Sequence, residues 1–526
     1  MFARPLSSIC ATILLLLSTP PDFAQSAAHA SVVSPVVAHR FLVGYRGGVI
    51  PVGAAGRIGA SGAQVIGGER QIDRLGRLGI VLVQAASLSS LERLAHDPAV
   101  LVIVQDRLVT GASLHARPAP VVAENQGADA LYHSPHGWAV RQVGGFGDAT
   151  LAGPWNATRG AGVRIAILDS GVDATHADLA PNLGLNLSEI DQSAQTGLPS
   201  VCDDGSAQDQ TGHGSWTASL AAGAYGEGTG LVAGVAPAAT LLNIKVLERV
   251  PSATLSAADP TGCIAGEATG LLSWVLQGID DAVTARADII SMSLGSVIDL
   301  TTGDGAGMQV LFNQVTYAAT QAGAVLIAAA GNDDLSFGTG ASAGRYIELP
   351  AQARGVLAIE AATNPDCAEA LAATATCAAG ASTLPYYSNR GPALAGLTAP
   401  GGSYPQGAAL DNLNRPSGWV TGACVAGGRF GCFNLGASAY VEAMGTSASA
   451  ALAAGAAALV RAAHPEWSAA EVVSQLRRAA IVAPGLPDPM IAAQNLVSAT
   501  PWMLQPPSID LQPLRVPGLK PQSMLR

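Results

Sequence analysis

Hydrophobic positions recur along the chain with two periods. Short runs of Val, Ile, Leu and Ala, bounded by glycine or polar residues, predict buried strands at 163–168, 240–247, 289–294, 325–330 and 356–361. Between them, apolar residues return at helical spacing over 215–222, 269–284 and 309–322. Strands alternating with helices predict an α/β domain, a doubly wound and mainly parallel sheet flanked by helices on both faces. Near its end, Ser468 and Glu471 form a capping box that opens a helix reaching about residue 480. A smaller β/α unit precedes this body, with strands at 40–45, 79–84 and 100–104 and a helix at 88–96 marked by Leu88, Leu91 and Leu94. From 110 to 135 the chain is polar and Pro-rich without a period, which predicts an exposed linker. The stretch after Pro501 is again Pro-rich and reads as an extended tail.

Two apolar segments fall outside this pattern. Arg4, the apolar run 9–17, Pro20-Pro21 and the small-residue motif 28–30 have the layout of a cleavable export signal, too short to span a bilayer. The stretch 443–460 carries no formal charge and is long enough to span one, but it consists mostly of Ala, Gly, Ser and Thr. Methyl-sized side chains offer little transfer energy, so a closely packed interior helix is expected and no membrane anchor. The chain therefore divides into a signal peptide (1–30), a small α+β unit (31–110), a linker (111–137), an α/β domain (138–500) and a tail (501–526).

Composition narrows the field. With 49% hydrophobic and only 12% charged residues, the 526-residue chain is not disordered. Its 27 basic and 38 acidic side chains leave a net charge of −11, which argues against a nucleic-acid partner. After the signal peptide six cysteines remain, Cys202, Cys263, Cys367, Cys377, Cys424 and Cys432, and an even set in an exported chain predicts disulfides. Proximity alone points to Cys367–Cys377 and Cys424–Cys432, and no C-x-x-C pair supports a metal site.

Four residues carry candidate chemistry. Asp169 follows a buried run at the carboxyl end of a predicted strand, where open parallel sheets place functional groups. His213 lies between Gly212 and Gly214 at the start of a helix. Ser447 follows Gly445-Thr446 at the mouth of the Ala-rich helix, placed either to cap it or to act as a nucleophile with its own N–H helping to hold an oxyanion. Asn332 ends another buried strand and could donate an amide hydrogen bond to that oxyanion. A serine hydroxyl is a weak nucleophile until a neighbouring base takes its proton, so His213 beside Ser447 is the arrangement such chemistry needs.

The order Asp, His, Ser resembles that of the subtilisin-like serine proteases, the subtilases. The resemblance rests on Asp-Ser-Gly-Val-Asp at 169–173, Gly-His-Gly at 212–214, Gly-Val-Ala-Pro at 234–237, Ile-Ile-Ser-Met-Ser-Leu-Gly at 289–295, Ala-Ala-Gly-Asn at 329–332 and Gly-Thr-Ser at 445–447. It implies Ser447 as nucleophile, His213 as general base and then acid, Asp169 as the orienting carboxylate, and Asn332 in the oxyanion hole. It also implies that 31–110 is a ferredoxin-like inhibitory propeptide, cut within about 108–135, and that the product is a secreted, monomeric endopeptidase acting on proteins or peptides. No cofactor is needed for the chemistry. Structural calcium accords with the resemblance, without assigned ligands; the acidic loop with Asp203, Asp204 and Asp209 is the place it suggests.

The same resemblance places Ser293, Leu294, Gly295, Ala329 and Gly331 along the walls of the primary specificity pocket, and Glu348 at its floor. A carboxylate there would favour Arg or Lys before the scissile bond. Two positions depart from the family pattern: Ser215-Trp216 stands where Thr-His is usual, and Ala451-Leu452 where Pro-His is usual. Three rival readings are an inactive binding module of the same fold, an esterase, for which a G-x-S-x-G elbow would be expected, and a processing protease of narrow specificity.

Overall fold

The first element is a strand, β1 (Val36–Tyr45), followed by β2 (Gln64–Val65), β3 (Ile80–Gln84) and β4 (Val100–Gly111). They form an antiparallel sheet in the order β4-β1-β3-β2, with the short helices α1 (Ala54–Ala60) and α2 (Glu92–Ala95). Phe41, Val43, Val81 and Val83 alternate onto one face and pack with Ile58, Leu91 and Leu94 in a core of their own. The computed structural model describes residues 33–497 except 68–74, 112–114, 120–126, 191–198, 341–342, 364–381, 404–418, 434, 436, 484–485 and 493–495. The signal segment, the Cys367–Cys377 pairing and the C-terminal tail therefore lie outside the described residues.

The stretch read as a featureless linker holds a strand, β5 (His115–Pro118), and a short helix, α3 (Ala130–His133), and a second short helix, α4 (Trp138–Gln142), opens the domain after it. Trp138 is fully buried and its indole N–H donates to Trp419 O at 2.9 Å. Polar composition concealed these elements because what orders them is contact with distant segments rather than a local period.

From β6 (Arg164–Asp169) onwards the predicted alternation holds. It continues through β7 (Leu183–Ser188), α5 (His213–Ala222), β8 (Thr240–Lys245), β9 (Leu247–Val250), β10 (Glu267–Leu271), α6 (Leu272–Thr284) and β11 (Ile289–Met292). Then follow β12 (Leu294–Asp299), α7 (Gly303–Gln321), β13 (Val325–Ala329), β14 (Tyr346–Leu349), β15 (Val356–Ala362) and β16 (Leu397–Pro400). The last described elements are β17 (Val420–Ala423), β18 (Tyr440–Met444), α8 (Thr446–Ala463) and α9 (Ala469–Ala479). Seven strands make one parallel sheet in the order β16-β15-β13-β11-β6-β8-β7. Alternate side chains feed two cores: Ile165, Ile167, Val325 and Ile327 pack with α5 and α8, while Ala166, Leu168, Leu326 and Ala328 pack with α6 and α7. The uncharged stretch tested for a membrane span forms α8, 89% buried inside the protein. The helix expected at 269–284 begins at Leu272, because residues 267–271 pair as β10 instead.

β4 extends well beyond the predicted 100–104 and joins the two units. Leu108, Val109 and Thr110 pair antiparallel with Leu271, Gly270 and Thr269 of β10, and Thr110 and Gly111 pair with Gly295 and Leu294 of β12. Polar contacts reinforce the junction. Arg40 and Asp106, both with fully buried side chains, pair at 2.9 Å, and Asp106 Oδ1 accepts from Ser273 N in the first turn of α6 at 3.1 Å. There the carboxylate meets the positive end of the helix. Removing one partner of a buried ion pair leaves a charge without compensation, so Asp106→Ala is expected to destabilise the full chain by about 3–5 kcal/mol, read as a lowered denaturant midpoint.

Candidate active site

Three strands of the parallel sheet deliver the candidate groups at their carboxyl ends, as such sheets do. Asp169 is the last residue of β6, Ser293 follows β11, and Asn332 follows β13 after a turn at Gly331. His213 opens α5 and Ser447 lies in the first turn of α8. Gly445, just before that helix, has φ 151° and ψ 162°, a conformation that side chains strongly disfavour. Gly214 has another reason to be glycine: a Cβ there would lie 2.0 Å from Gly171 O.

These elements bring residues far apart in the chain into one line. Asp169 Oδ1 lies 2.6 Å from His213 Nδ1, and His213 Nε2 lies 3.0 Å from Ser447 Oγ. Because Nδ1–H donates to the carboxylate, Nε2 is left as the acceptor facing the hydroxyl. Asp169 is held in turn by Ser170 N at 2.7 Å on Oδ1 and by Thr217 Oγ1 at 3.0 Å on Oδ2. The hydroxyl of Ser447 is also within 3.0 Å of Ser293 O, so its proton has two acceptors, and Ser293 Oγ donates to Ser447 O at 3.0 Å. Asn332 Oδ1 accepts from Thr446 N and Thr446 Oγ1, both at 3.0 Å. With the amide oxygen tied back, its NH₂ group is the free end. All three members of the line are almost completely buried, with the described chain in place.

The cleft beside them is occupied by the chain itself. The β4 strand lies between β10 and β12 and stops at Gly111, where an added Cβ would sit 3.1–3.3 Å from the His213 ring. On the far side β5 pairs with β18, Met444 opposite His115 and Val441 opposite Pro118. β18 leads directly to Gly445 and Ser447, so β4 ends beside His213 and β5 begins beside the strand that carries the serine.

Sequence reasoning missed several supporting groups. Asp209, fully buried, accepts from Thr211 N, Gly212 N and Ser215 N, each at 2.9 Å, from Ser215 Oγ at 2.8 Å and from Ser170 Oγ at 3.0 Å. Burial raises its pKa and these donors oppose the rise. The density of Ser and Thr around His213 was the available signal. The departure at 215–216 fits this packing: Ser215 is a member of the Asp209 network, and Trp216 donates to Val420 O at 3.0 Å while its ring meets His213 edge-on.

The acidic loop is engaged by protein donors. Asp203 pairs with buried Lys245 at 2.8 Å, Asp204 accepts from Ser206, and Asp209 is held as described. Among the described residues no group of three or more His, Cys, Asp or Glu is arranged to hold a metal ion. Two disulfides frame the same region, Cys202–Cys263 and Cys424–Cys432; the second was expected from proximity and the first was not. Arg249 links them by donating to the carbonyls of Cys263, Gln210 and Gly431.

Glu348 reaches the walls named from the sequence. Its carboxyl lies between Gly295 and Gly331 and the residue is 2% exposed, so it is not the solvent-facing glutamate its polarity alone would predict.

Comparison with known proteins agrees with this architecture. The described fold resembles the epidermin leader peptide processing serine protease EpiP of Staphylococcus aureus, with TM-score 0.60 and 15% identity over 87% of this chain and 97% of that one. In sequence the chain is 34% identical over 181 residues to the intracellular serine protease of Paenibacillus polymyxa, covering 34% of this chain and 44% of that protein. It is 28% identical over 321 residues to subtilisin E of Bacillus subtilis, covering 61% of each. The matches span about half the length of these curated relatives. A model of the subtilase family, peptidase S8, matches residues 160–501, the segment that carries Asp169, His213, Asn332 and Ser447. With strand order, site and sequence in agreement over that segment, the chain belongs to the subtilase family.

Proposed function

We propose that the protein is a serine endopeptidase, exported and made as a precursor whose own N-terminal unit blocks the cleft. The observation that carries this reading is the line Asp169–His213–Ser447, at 2.6 and 3.0 Å, with a strand of the chain lying across its mouth. In the reaction Ser447 Oγ attacks the substrate carbonyl while His213 Nε2 takes its proton, and Asp169 holds the resulting imidazolium. The oxyanion is met by the Ser447 N–H and the Asn332 amide. Collapse of the tetrahedral adduct breaks the C–N bond, and His213 passes its proton to the leaving amine. Water then enters, His213 takes one of its protons, and attack on the ester releases the acid and regenerates Ser447 Oγ–H.

Export is supported by the N-terminal sequence pattern and by the two disulfides. Regulation by a propeptide is supported by the buried pairing of β4 with β10 and β12. Cleavage in cis is expected among the bonds between residues 111 and 115, a narrower window than 108–135.

The reading is tested with a serine-reactive fluorophosphonate on the processed protein, alongside matched peptide and short-chain ester substrates. Label on Ser447 and turnover of the peptide are expected. A processed protein that takes no label would instead be a binding module, and one that turns over only the ester would be an esterase. Asn332→Ala is expected to lower kcat by roughly 10²–10³ with KM little changed, measured on the same peptide, because the amide acts on the charge that develops in the transition state.

A further inference from the structure

We propose that Glu348, backed by Asp333, makes the pocket beside Ser447 a site for a cationic side chain, so that the bond hydrolysed follows an arginine or a lysine. This rests on the peptidase reading above and adds to it a substrate class, a second acidic residue and a dependence on pH.

The geometry sets the carboxyl inside the pocket. Ser293 is tied to the Ser447 backbone at 3.0 Å, so the wall running on through Leu294 and Gly295 starts at the nucleophile. A Cβ on Gly295 would lie 1.9 Å from Glu348 Oε1, and one on Gly331 would lie 3.2 Å from Oε2. The carboxyl therefore fills the slot between the two walls, and glycine on each side leaves room for it. The pairing of β12 with β14 fixes its position, with Glu348 opposite Val297 and a hydrogen bond from Ser296 N to the carboxyl. The other oxygen, Oε2, is buried and has no hydrogen-bond partner among the described residues.

Charge in this corner is not balanced. Asp333, in the turn after β13, faces Glu348 with its own carboxyl held by Asn389 Nδ2 at 3.2 Å. The neighbouring cations are engaged elsewhere: Arg345 pairs with Asp299 of β12 at 3.1 Å, and Arg390 with Asp334 at 2.5 Å. Burial first, and then Asp333, raise the Glu348 pKa well above the ordinary carboxylate range. Burial likewise raises that of Asp333. A buried carboxyl with an unused oxygen, a second carboxyl facing it and no cation paired with either among the described residues have the electrostatics of a site awaiting one.

Proton linkage follows. A neutral substrate side chain leaves Glu348 protonated, whereas a cation binds to the ionised form and displaces the proton. The ratio of kcat/KM for an Arg substrate to that for its Ala counterpart should therefore rise as pH rises, by up to about tenfold per unit below the pKa of Glu348 in the free enzyme. Above that pKa it levels off. Ionisation of His213 affects both substrates alike and cancels in the ratio.

The test uses the processed enzyme with peptides that differ only in the residue before the scissile bond, Arg, Lys, Ala or Leu, from pH 5 to 9. Arg and Lys are expected to lead, with a ratio that rises with pH. Glu348→Gln should lower the Arg/Ala ratio at least tenfold and flatten its pH dependence. Asp333→Asn, which alters the pocket less, should shift the rise to lower pH. Preference for Ala or Leu in the wild type, or an Arg/Ala ratio unchanged by both variants, overturns the proposal while leaving the peptidase reading intact. Absence of hydrolysis of every peptide, with no fluorophosphonate label on Ser447, overturns both.

Discussion

Ser447→Ala is expected to abolish peptide hydrolysis, with kcat reduced by a factor on the order of 10⁶, and to leave the full-length chain uncut. Both effects have one cause. The hydroxyl 3.0 Å from His213 Nε2 is the group that would form the acyl-enzyme, and β4 ends at Gly111 beside the His213 ring while β5 starts at His115 against β18. Intact mass and N-terminal sequencing of wild type and variant, purified side by side, read out the cut directly. The wild type should lose its N-terminal unit at a bond between residues 111 and 115, and the variant should retain it. The replacement removes one oxygen from a buried site and creates little strain, so the variant should fold. Identical cleavage of both proteins would assign the cut to an outside protease and sink the claim of processing in cis.

The second large effect is expected from Asp169→Asn, an exchange that preserves shape and reverses hydrogen-bonding sense. Asp169 accepts from His213 Nδ1, from Ser170 N and from Thr217 Oγ1. An amide NH₂ facing the imidazole would make Nδ1 the acceptor and move the ring proton to Nε2, where it meets Ser447 instead of receiving its proton. A fall in kcat of about 10⁴ is expected near neutral pH. The labelling rate of Ser447 by the fluorophosphonate should fall in parallel, because that reaction needs the same base. A variant that keeps more than about a tenth of wild-type kcat would show that His213 is oriented by some other group.

Much of the site could be read before any coordinates. Asp169, His213, Asn332 and Ser447 each stand at a predicted strand end or helix start, and their local motifs survive because strand-end and cap geometry tolerates few residue types. Glycine at 214 and 445 carries the same kind of information, one through close approach and one through φ. The supporting network was less visible. Asp209 looked like a member of an acidic loop, and nothing local distinguishes a carboxylate that faces water from one that accepts six hydrogen bonds in the interior.

The sequence by itself determined the alternation of strands and helices, the faces that form the two cores, and the identity of the residues able to do chemistry. These follow from periodicity and side-chain type, which act over a few residues. Tertiary structure decided what depends on partners far away in the chain. It gave the polar 110–135 stretch a strand paired with β18 and a short helix, and it paired Cys202 with Cys263 across 61 residues. It also buried Glu348 between two glycines that lie 53 and 17 residues before it. A carboxyl's protonation and partners are set by the dielectric and charges around it, and those come from segments the chain assembles only on folding.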